Sequence, residues 1–492
     1  MVVLAVFALR VASHFDYTPD DTYIYLQYAR NVIQHHEVAF NAGEPTYGIT
    51  SPLWLMIISI GGWSGIDLYT AGKTFDAVLA LLALLVIYLA QIRLAGDHSV
   101  ALATAAVFSS HIWFLRWAGS GMETSLVSLL GILCVYLLFS RSYHIFAIVS
   151  ALLILTRPEA AGLVVISLIV GLYVNELRPA WLKVFLFTLT EVAAMLVPWL
   201  AYAYAEFGTM IPNTALAKSE MGFSWEGALS TAADFGRTLG VSDGLEMLVI
   251  LGILAGSISW AGMSHKEDKP LETGSRTIRV MARRFAVPLV WIASLPVIYV
   301  ATSANVVSRY LMLISPVIVL LAFAVPFVLL KGFNPRLANS VTLSVGLLLI
   351  AYNVVVFETQ VEGRLAVFSK GMDSCFVYIG KWLNQNTPGD ASVLVSDVGA
   401  IGYYSQRRIC DASGLVSPQL LSLSRLGYSL QGIMHEESYH TYCRARYVVD
   451  RSNIPHAVHD PSLVPLLTRP IYSLALSSPD TVYYTVYRVV TP

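Results

Sequence analysis

The sequence AVLALLALLVIYLAQI, residues 77–92, decides the fold class, because it has no charged side chain and lies within a 25-residue apolar segment, 71–95. A helix of about 20 apolar residues crosses the hydrocarbon core of a bilayer. The whole chain follows this pattern, with 56% hydrophobic residues, 13% charged residues and a mean hydropathy of +0.63. Soluble domains carry about 25% charged residues. We therefore predict a polytopic α-helical membrane protein.

Similar apolar segments recur along the chain and predict about eleven transmembrane helices. We place these helices at 1–14, 71–95, 99–116, 121–139, 143–156, 159–176, 181–205, 245–262, 286–303, 309–331 and 338–358. The first is short, so we interpret it as the outer part of a helix whose start is incomplete; a signal peptide is the alternative. Ser51–Trp63 is too short to cross alone and predicts an interfacial or re-entrant helix. Proline and charges at Thr156–Glu159 predict a break between two helices.

The distribution of basic residues predicts the orientation, because cytoplasmic loops are rich in lysine and arginine. Alternate loops carry Arg93, Arg141, Arg178 and Lys183, the cluster from Lys266 to Arg284, and Lys331 and Arg336. We therefore expect a bacterial inner-membrane protein with a cytoplasmic N-terminus. The loops with Asp20, Glu123, Lys218 and Arg309 then lie outside. The formal net charge of −1 argues against a nucleic-acid partner.

The sequence changes character near residue 360, which predicts two domains: a membrane domain over 1–358, with a first exterior loop at 15–51, and an exterior α/β domain over 359–492. Phe376–Asn386 is typical of an amphipathic helix, and three short runs are typical of strands: Val393–Ser396, Tyr447–Val449 and Val482–Val490. The same part contains Cys375, Cys410 and Cys443, so one disulfide is expected in an oxidising compartment, with its pairing undetermined.

The first exterior loop begins with an acidic pair, Asp20-Asp21, that has two interpretations. Thr18 as an N-cap, Pro19 at the first helical position and two acids in the first turn are a common start of a helix. The acids would then serve helix stability alone. Their place in a loop at the membrane surface also fits a catalytic role.

The spacing of Asp21, Tyr25 and Tyr28 favours the functional interpretation. These positions fall on one helical face, which would put a carboxylate beside two phenols. Sugar sites combine such groups, because aromatic faces cover C–H groups while carboxylates bind hydroxyls.

Further candidate residues lie in the other exterior segments, each with a structural alternative. Glu44 is a substrate ligand or a solvated turn residue, and Glu123 is a ligand or a favourable acid at a helix start. Asn213, Lys218 and Arg309 lie near the exterior surface. Cations there suit a lipid phosphate, although an arginine at this depth also snorkels to the interface.

Seven segments together resemble one family. They are DDTYIYLQYARN (20–31), FNAGEPTYGITSPLW (40–54), GMETS (121–125), TRPEA (156–160), GTMIPNTALAK (208–218), SRYLMLISP (308–316) and SDVGAIGYYSQRRICDASGL (396–415). In this order they resemble bacterial GT-C glycosyltransferases, including the mycobacterial terminal β-1,2-arabinofuranosyltransferase and its uncharacterised relatives. The first span is shorter than in that enzyme, and so is the exterior domain.

The resemblance implies an inverting glycosyltransferase that moves a hexose or pentose from a polyprenyl-phosphate donor to a cell-envelope glycan or lipid. It implies that an acid of the first loop is the base. The family places this acid first, at Asp20, whereas the periodicity indicates Asp21, and both are kept. Substrate contacts are expected from Tyr25, Tyr28, Arg30, Asn31, Glu44, Tyr47, Glu123, Arg157, Glu159, Asn213, Lys218, Arg309 and Tyr310.

Two other functions are alternatives to glycosyl transfer. A transporter or lipid-linked-sugar flippase usually has inverted repeats with broken helices, and no internal repeat is visible in this sequence. A receptor or assembly factor would use the exterior domain and make the exterior acids dispensable. The sequence has no His-rich ligand set, so it requires no cofactor and leaves a divalent metal open.

Overall fold

The structure is a computed structural model. It describes the chain except residues 175–178, 219–223, 265–271, 333, 459, 473–480 and 491–492, and it leaves out the side chains of 216–218, 254, 256–264 and 272–284. The basic residues Arg178, Lys266 and Lys269, used to predict the orientation, lie outside the described residues.

The predicted membrane domain is a bundle of helices, and the predicted spans fall on these helices, with 99–116 divided between two of them at His111. The helices are α1 Val2–Ser13, α2 Asp20–His35, α3 Pro52–Trp63, α4 Leu68–Ala95, α5 His98–Ser110, α6 Ile112–Trp117, α7 Thr124–Ser140, α8 Tyr143–Thr156, α9 Ala160–Val174, α10 Pro179–Phe207, α11 Asn213–Lys218, α12 Trp225–Ser242, α13 Gly244–Ser264, α14 Glu272–Ala301, α15 Ser315–Lys331 and α16 Pro335–Val356.

Three helices among the described residues are long and apolar enough to cross a membrane: Leu68–Ala95, Pro179–Phe207 and the continuous helix Pro335–Asn386. Nine other apolar helices are shorter, including α7, α8, α9 and α15. The predicted segments are therefore helical, while the number of crossings stays a prediction.

Two helix boundaries differ from the expected ones in ways that affect the site. Thr18 does not cap α2: the N-cap residue is Pro19, without a side-chain cap bond, and the Thr18 hydroxyl accepts from Lys73 instead. The span predicted to start at Arg309 begins with a 3₁₀ segment, Ser308–Leu313, before α15. The break predicted at Thr156–Glu159 is present, since α8 ends at Thr156 and α9 begins at Ala160.

The loop predicted to be exterior, which keeps the name first exterior loop, is an ordered unit. Helix α2 is followed by a hairpin, β1 Ala39–Asn41 and β2 Glu44–Pro45, whose turn contains Gly43 at φ +78°. Glycine suits this left-handed position because it has no Cβ. Helix α3 then begins at Pro52, capped by the Ser51 hydroxyl, which accepts from the Trp54 amide.

The domain predicted to lie outside the membrane, which keeps the name exterior domain, continues directly from the last long helix. After α16, two π-helical segments, Phe357–Glu362 and Asp373–Val377, alternate with α17 Gly363–Met372 and α18 Tyr378–Asn386. The expected amphipathic helix 376–386 is therefore the end of a 52-residue helix that starts at Pro335.

A five-stranded mixed sheet forms the core of this domain. Its strands are β3 Ser392–Val395, β4 Arg408–Asp411, β5 Tyr447–Ser452, β6 Leu463–Tyr472 and β7 Thr481–Val489, in the order β4-β3-β5-β7-β6. Strands β4, β3 and β5 are parallel to one another, and β7 runs antiparallel to its neighbours β5 and β6. The three expected strands are confirmed as β3, β5 and β7, whereas β4 and β6 were missed. Between β3 and β4 lies α19, Gly399–Ser405, and the short helices α20 Leu421–Arg425 and α21 Leu430–Met434 follow β4.

The structure also resolves the cysteine pairing. Cys410 of β4 is bonded to Cys443, with their Cα atoms 5.7 Å apart, and Cys375 is buried as a free thiol.

Candidate active site

Asp21 is paired with Arg309. Arg309 lies in the 3₁₀ segment before α15, and its Nη2 donates to Asp21 Oδ2 at 2.5 Å. The arginine side chain is 8% exposed, whereas the aspartate side chain is 40% exposed. The guanidinium also lies over the rings of Trp117 and Tyr310, at 5.6 and 5.5 Å from their centroids. A fixed, desolvated cation thus faces a carboxylate that solvent reaches.

A second ion pair also lies against the Tyr310 ring. Arg157 is 2.6 Å from Glu123 and 3.6 Å from Glu159, and its guanidinium is 4.6 Å from the Tyr310 centroid. The Glu123 and Arg157 side chains are 1% and 7% exposed. Tyr310 therefore lies against both Arg157 and Arg309, so the two cations belong to one cluster.

The acid Glu159 is held by an aromatic neighbour. Tyr299 donates to Glu159 Oε1 at 2.7 Å, and its ring stacks on that of Tyr310 with a centroid distance of 5.6 Å. The expected residues Asp21, Glu123, Arg157, Glu159, Arg309 and Tyr310 are thus brought together, although they come from four separate segments of the chain.

Asp20 has a different environment. Its two carboxylate oxygens accept from the consecutive amides of Gly399 and Ala400, at 2.9 and 2.8 Å, so both are bound by the exterior domain. Burial, and then the nearby Asp397 carboxylate, raise the pKa of Asp20 to about 7. Burial also raises the pKa of Asp397, whose Oδ2 accepts from the Tyr484 hydroxyl at 2.6 Å.

Tyr25 and Tyr28 are buried, in contrast to the open aromatic face expected from the periodicity. The Tyr25 hydroxyl accepts from the Ser51 amide, and the Tyr28 hydroxyl donates to the Thr46 carbonyl and accepts from the Gly48 amide. Both phenols therefore hold the end of the first loop against α2.

Three more of the expected substrate ligands make contacts within the protein. The amide of Asn31 donates to the carbonyls of Ala39 and Phe40, and Arg30 stacks on Tyr403, with its Cζ 3.8 Å from the ring centroid. Glu44 is 2.5 Å from Arg408 and accepts from the Tyr442 hydroxyl. Arg30 and Glu44 thus join the first loop to the exterior domain.

Tyr47 and Asn213 connect the first loop to the segment after α10. The Tyr47 hydroxyl accepts from the Trp199 indole at 2.9 Å, and the Tyr47 carbonyl accepts from the Asn213 amide at 2.8 Å. Asn213 Nδ2 donates to the Leu415 carbonyl. Lys218 ends α11, and its side chain lies outside the described part of the chain.

Two buried charged residues of α4, Lys73 and Asp76, were not predicted. Lys73 Nζ is 2.8 Å from both the Tyr17 carbonyl and the Thr18 hydroxyl, next to the acidic pair. Asp76 accepts from the Gly121 amide at 3.1 Å, beside Glu123. A Lys and an Asp within an otherwise apolar span was the signal, because intramembrane charges are expensive and functional.

Arg116 was missed as well. It donates to the Tyr17 and Ser308 hydroxyls, so a third cation lies near the segment that carries Arg309. Over the described residues, no three His, Cys, Asp or Glu side chains are grouped as ligands for a metal.

Comparisons with known proteins give two kinds of likeness. The family model of a domain of unknown function, DUF8728, matches residues 362–488. The terminal β-(1→2)-arabinofuranosyltransferase of Mycobacterium tuberculosis is 27% identical over 255 residues. This alignment covers 48% of the chain and 40% of that enzyme, so the chain spans less than half of its relative's length.

Solved structures match over nearly the whole chain. ArnT from Cupriavidus metallidurans superimposes with a TM-score of 0.61 at 12% identity, covering 98% of this chain and 97% of ArnT; its undecaprenyl phosphate complex gives 0.59 at 11% identity, with the same coverage. The oligosaccharyltransferase AglB from Archaeoglobus fulgidus, in complex with an inhibitory peptide and a dolichol-phosphate, gives 0.52 at 12% identity, covering 91% of this chain and 69% of AglB. The chain therefore has the fold of ArnT and AglB, in agreement with the resemblance of its sequence motifs, and its long apolar helices indicate a multi-pass membrane protein.

Proposed function

We propose that this protein is an inverting glycosyltransferase that transfers a sugar from a polyprenyl-phosphate donor to an acceptor hydroxyl of the cell envelope. The observation that carries the proposal is the Asp21–Arg309 pair, in which a solvent-reached acid lies against a buried cation. The proposal is supported by the fold, because ArnT and AglB have been solved with undecaprenyl phosphate and dolichol-phosphate.

Arg309 and Arg157 fit the phosphate of such a donor. Arginine binds phosphate by two parallel charge-assisted hydrogen bonds, which are stronger in a desolvated site. Negative charge develops on the leaving phosphate as its bond to the sugar breaks, and fixed cations stabilise that charge. The rings of Trp117 and Tyr310 hold the Arg309 guanidinium in place before the donor arrives.

Asp21 fits the role of base better than Asp20. Both oxygens of Asp20 are occupied by backbone amides, whereas Asp21 is part-exposed and bound to Arg309. A donor phosphate on Arg309 would compete with Asp21 for the guanidinium and release the carboxylate. The acid would then become available as the donor binds.

The transfer reaction requires one bond to form, one bond to break and one proton to move to Asp21. The acceptor hydroxyl oxygen attacks the anomeric carbon from the face opposite the phosphate, and its proton passes to Asp21. The bond between the anomeric carbon and the phosphate oxygen breaks, and its electron pair leaves with the polyprenyl phosphate. This single displacement inverts the anomeric configuration. Inverting glycosidases work in the same way, with a carboxylate base that activates water in place of an acceptor hydroxyl.

The first experiment tests which sugar is transferred and to which acceptor. The sequence relative transfers arabinofuranose, according to its name, so an arabinofuranosyl donor is tested beside a hexosyl one. We propose a glycan or lipid hydroxyl outside the inner membrane as acceptor, with the N-terminus in the cytoplasm. The full chain in nanodiscs is incubated with each synthetic polyprenyl-phosphate sugar and an envelope extract. Sugar transferred to the extract supports the function; lipid movement across vesicles without transfer favours a flippase.

A further inference from the structure

The exterior domain reaches the acidic pair through two consecutive backbone amides. Gly399 and Ala400 donate to the two oxygens of Asp20, a residue 379 positions earlier in the chain than Gly399. Asp20 opens α2, and Asp21 is the next residue. Any displacement at residues 399 and 400 therefore moves the start of the helix that carries Asp21.

Residue 399 must be glycine for this contact. A Cβ added to Gly399 would overlap the backbone carbonyl and the carboxyl group of Asp20. Backbone atoms cannot swing aside as the end of a long side chain can. A methyl group at this position would thus push α2 and the exterior domain apart.

A third carboxylate completes the junction. Asp397 precedes Gly399 by two residues, is held by the Tyr484 hydroxyl, and interacts electrostatically with Asp20 and Asp21. The charged or titratable groups that face Asp20 are therefore Asp397, Asp21 and Tyr484. Neighbouring carboxylates oppose the ionisation of one another, because their charges have the same sign.

More contacts along the same segment make the junction extensive. Arg30 of α2 donates to the Tyr403 carbonyl at 2.8 Å, and Asn41 exchanges two hydrogen bonds with the backbone of Ile409. A Cβ at Gly402 would meet the Phe40 ring at 2.7 Å. Residues 397–409 thus follow the first exterior loop from its start to its hairpin.

We propose that residues 397–400 of the exterior domain are part of the reaction centre, with the Gly399 and Ala400 amides holding Asp20 and Asp397 acting as a positioning residue. Asp20 is then the link through which the exterior domain aligns Asp21 with Arg309. This proposal rests on the function proposed above and deepens it, since it makes the exterior domain necessary for the chemical step and not only for acceptor binding.

The test compares Gly399→Ala with Gly389→Ala in the full chain. Gly389 belongs to the same domain, and a Cβ there meets nothing within 4 Å. We expect Gly399→Ala to lower kcat about 100-fold, the scale of a misplacement near 1 Å. The KM for the donor should stay within about twofold, because Arg309 is untouched. Gly389→Ala should behave as the wild type.

A hydrogen-exchange measurement tests the contact without any assay of activity. In Asp20→Ala, the peptide 397–405 should exchange faster than in the wild type, because the Gly399 and Ala400 amides lose their acceptor. The matched variant Asp21→Ala should leave this peptide unchanged. Unchanged exchange in Asp20→Ala, or a wild-type kcat in Gly399→Ala, would overturn the proposal. Absence of transfer by the wild type would instead reject the proposed function. The exchange result would still show whether Asp20 binds the Gly399 and Ala400 amides.

The pH dependence of kcat in Asp397→Asn distinguishes a positioning role from a loss of folding. Removing the Asp397 charge lowers the pKa of Asp20, whose ionised carboxylate accepts from both amides and thereby aligns Asp21. The acidic limb of the kcat profile should therefore move to lower pH. A profile that keeps its position, with a reduced or an unchanged maximum, would contradict a positioning role for Asp397.

Discussion

Arg309 donates to Asp21 at 2.5 Å from a side chain that is 8% exposed, while its acidic partner is 40% exposed. A cation in this position is already desolvated and oriented, so an incoming phosphate meets a preorganised ligand. The same cation holds the proposed base until the donor arrives. Asp21 and Arg309 are separated by 288 residues, so only the folded chain brings them together.

Arg309→Gln should weaken donor binding more than any change at an exposed arginine. Loss of a charge-assisted hydrogen bond is worth roughly 1.5–3 kcal/mol, or about 10- to 100-fold in the KM for the lipid donor. The inhibition constant of undecaprenyl phosphate should rise by the same factor. Arg237→Gln is the control, because Arg237 pairs with Asp234 on an exposed helix face. Equal KM and inhibition constants for the two variants would show that Arg309 does not bind the donor phosphate.

Glu123→Gln should destabilise the protein strongly. The substitution leaves the buried Arg157 without its closest acid, and breaking a buried ion pair by removing one partner costs about 3–5 kcal/mol. Asp390→Asn breaks an exposed pair with Arg446 and should cost at most about 1 kcal/mol. Thermal unfolding of both variants in the same detergent checks this difference. Similar Tm values would mean that the Glu123–Arg157 pair is not buried.

Reduction of the Cys410–Cys443 disulfide should loosen the exterior domain. The bond closes a segment of 33 residues, for which the chain-entropy model gives a stabilisation of about 3–4 kcal/mol. Tyr442, beside Cys443, donates to Glu44, so the first loop should become more susceptible to proteolysis. Tm with and without reductant is the measurement. A Cys410→Ala, Cys443→Ala variant with the wild-type Tm and no response to reductant would contradict the expected stabilisation.

The exterior domain should be more stable at pH 5.5 than at pH 8. Burial raises the pKa of Asp20 to about 7 and the pKa values of Asp411 and Asp450 to about 6, all above the unfolded value of 3.8. The folded state therefore binds more protons, and stability rises as pH falls from about 7 toward 4. Asp397→Asn should raise the Tm more at pH 8 than at pH 5.5. A Tm that falls steadily on acidification over this range would be the opposite outcome.

Much of the fold follows from local sequence patterns. Long uninterrupted apolar segments predict helices, because the length and composition of each are typical of a membrane-spanning helix. The proline and the charges of Thr156–Glu159 predict the break between two helices. Strands β4 and β6 were missed for a physical reason. Strand β4 is four residues long and includes Arg408, and β6 contains two prolines, which β-propensity disfavours.

Most residues of the cluster around Tyr310 were predicted, but their pairing was not, and Lys73, Asp76 and Arg116 were missed. Acids and arginines at exterior helix ends are visible in the sequence, whereas the choice of Arg309 for Asp21 depends on how the bundle packs. Asp20 shows the limit most clearly, because its partners are backbone amides, which have no side-chain signal. Helical periodicity placed Tyr25 and Tyr28 beside Asp21, but it could not show that the loop 46–51 covers both phenols.

Single-turnover transfer by Asp21→Asn tests the central claim most directly. The wild type, Asp21→Asn and Asp390→Asn are each mixed with a radiolabelled polyprenyl-phosphate sugar and acceptor, and the anomeric configuration of the product is determined. A general base contributes about 10²- to 10⁴-fold, so the account predicts that loss for Asp21→Asn, wild-type transfer for Asp390→Asn, and an inverted product. Transfer by Asp21→Asn at the wild-type rate, or a product with retained configuration, would contradict it.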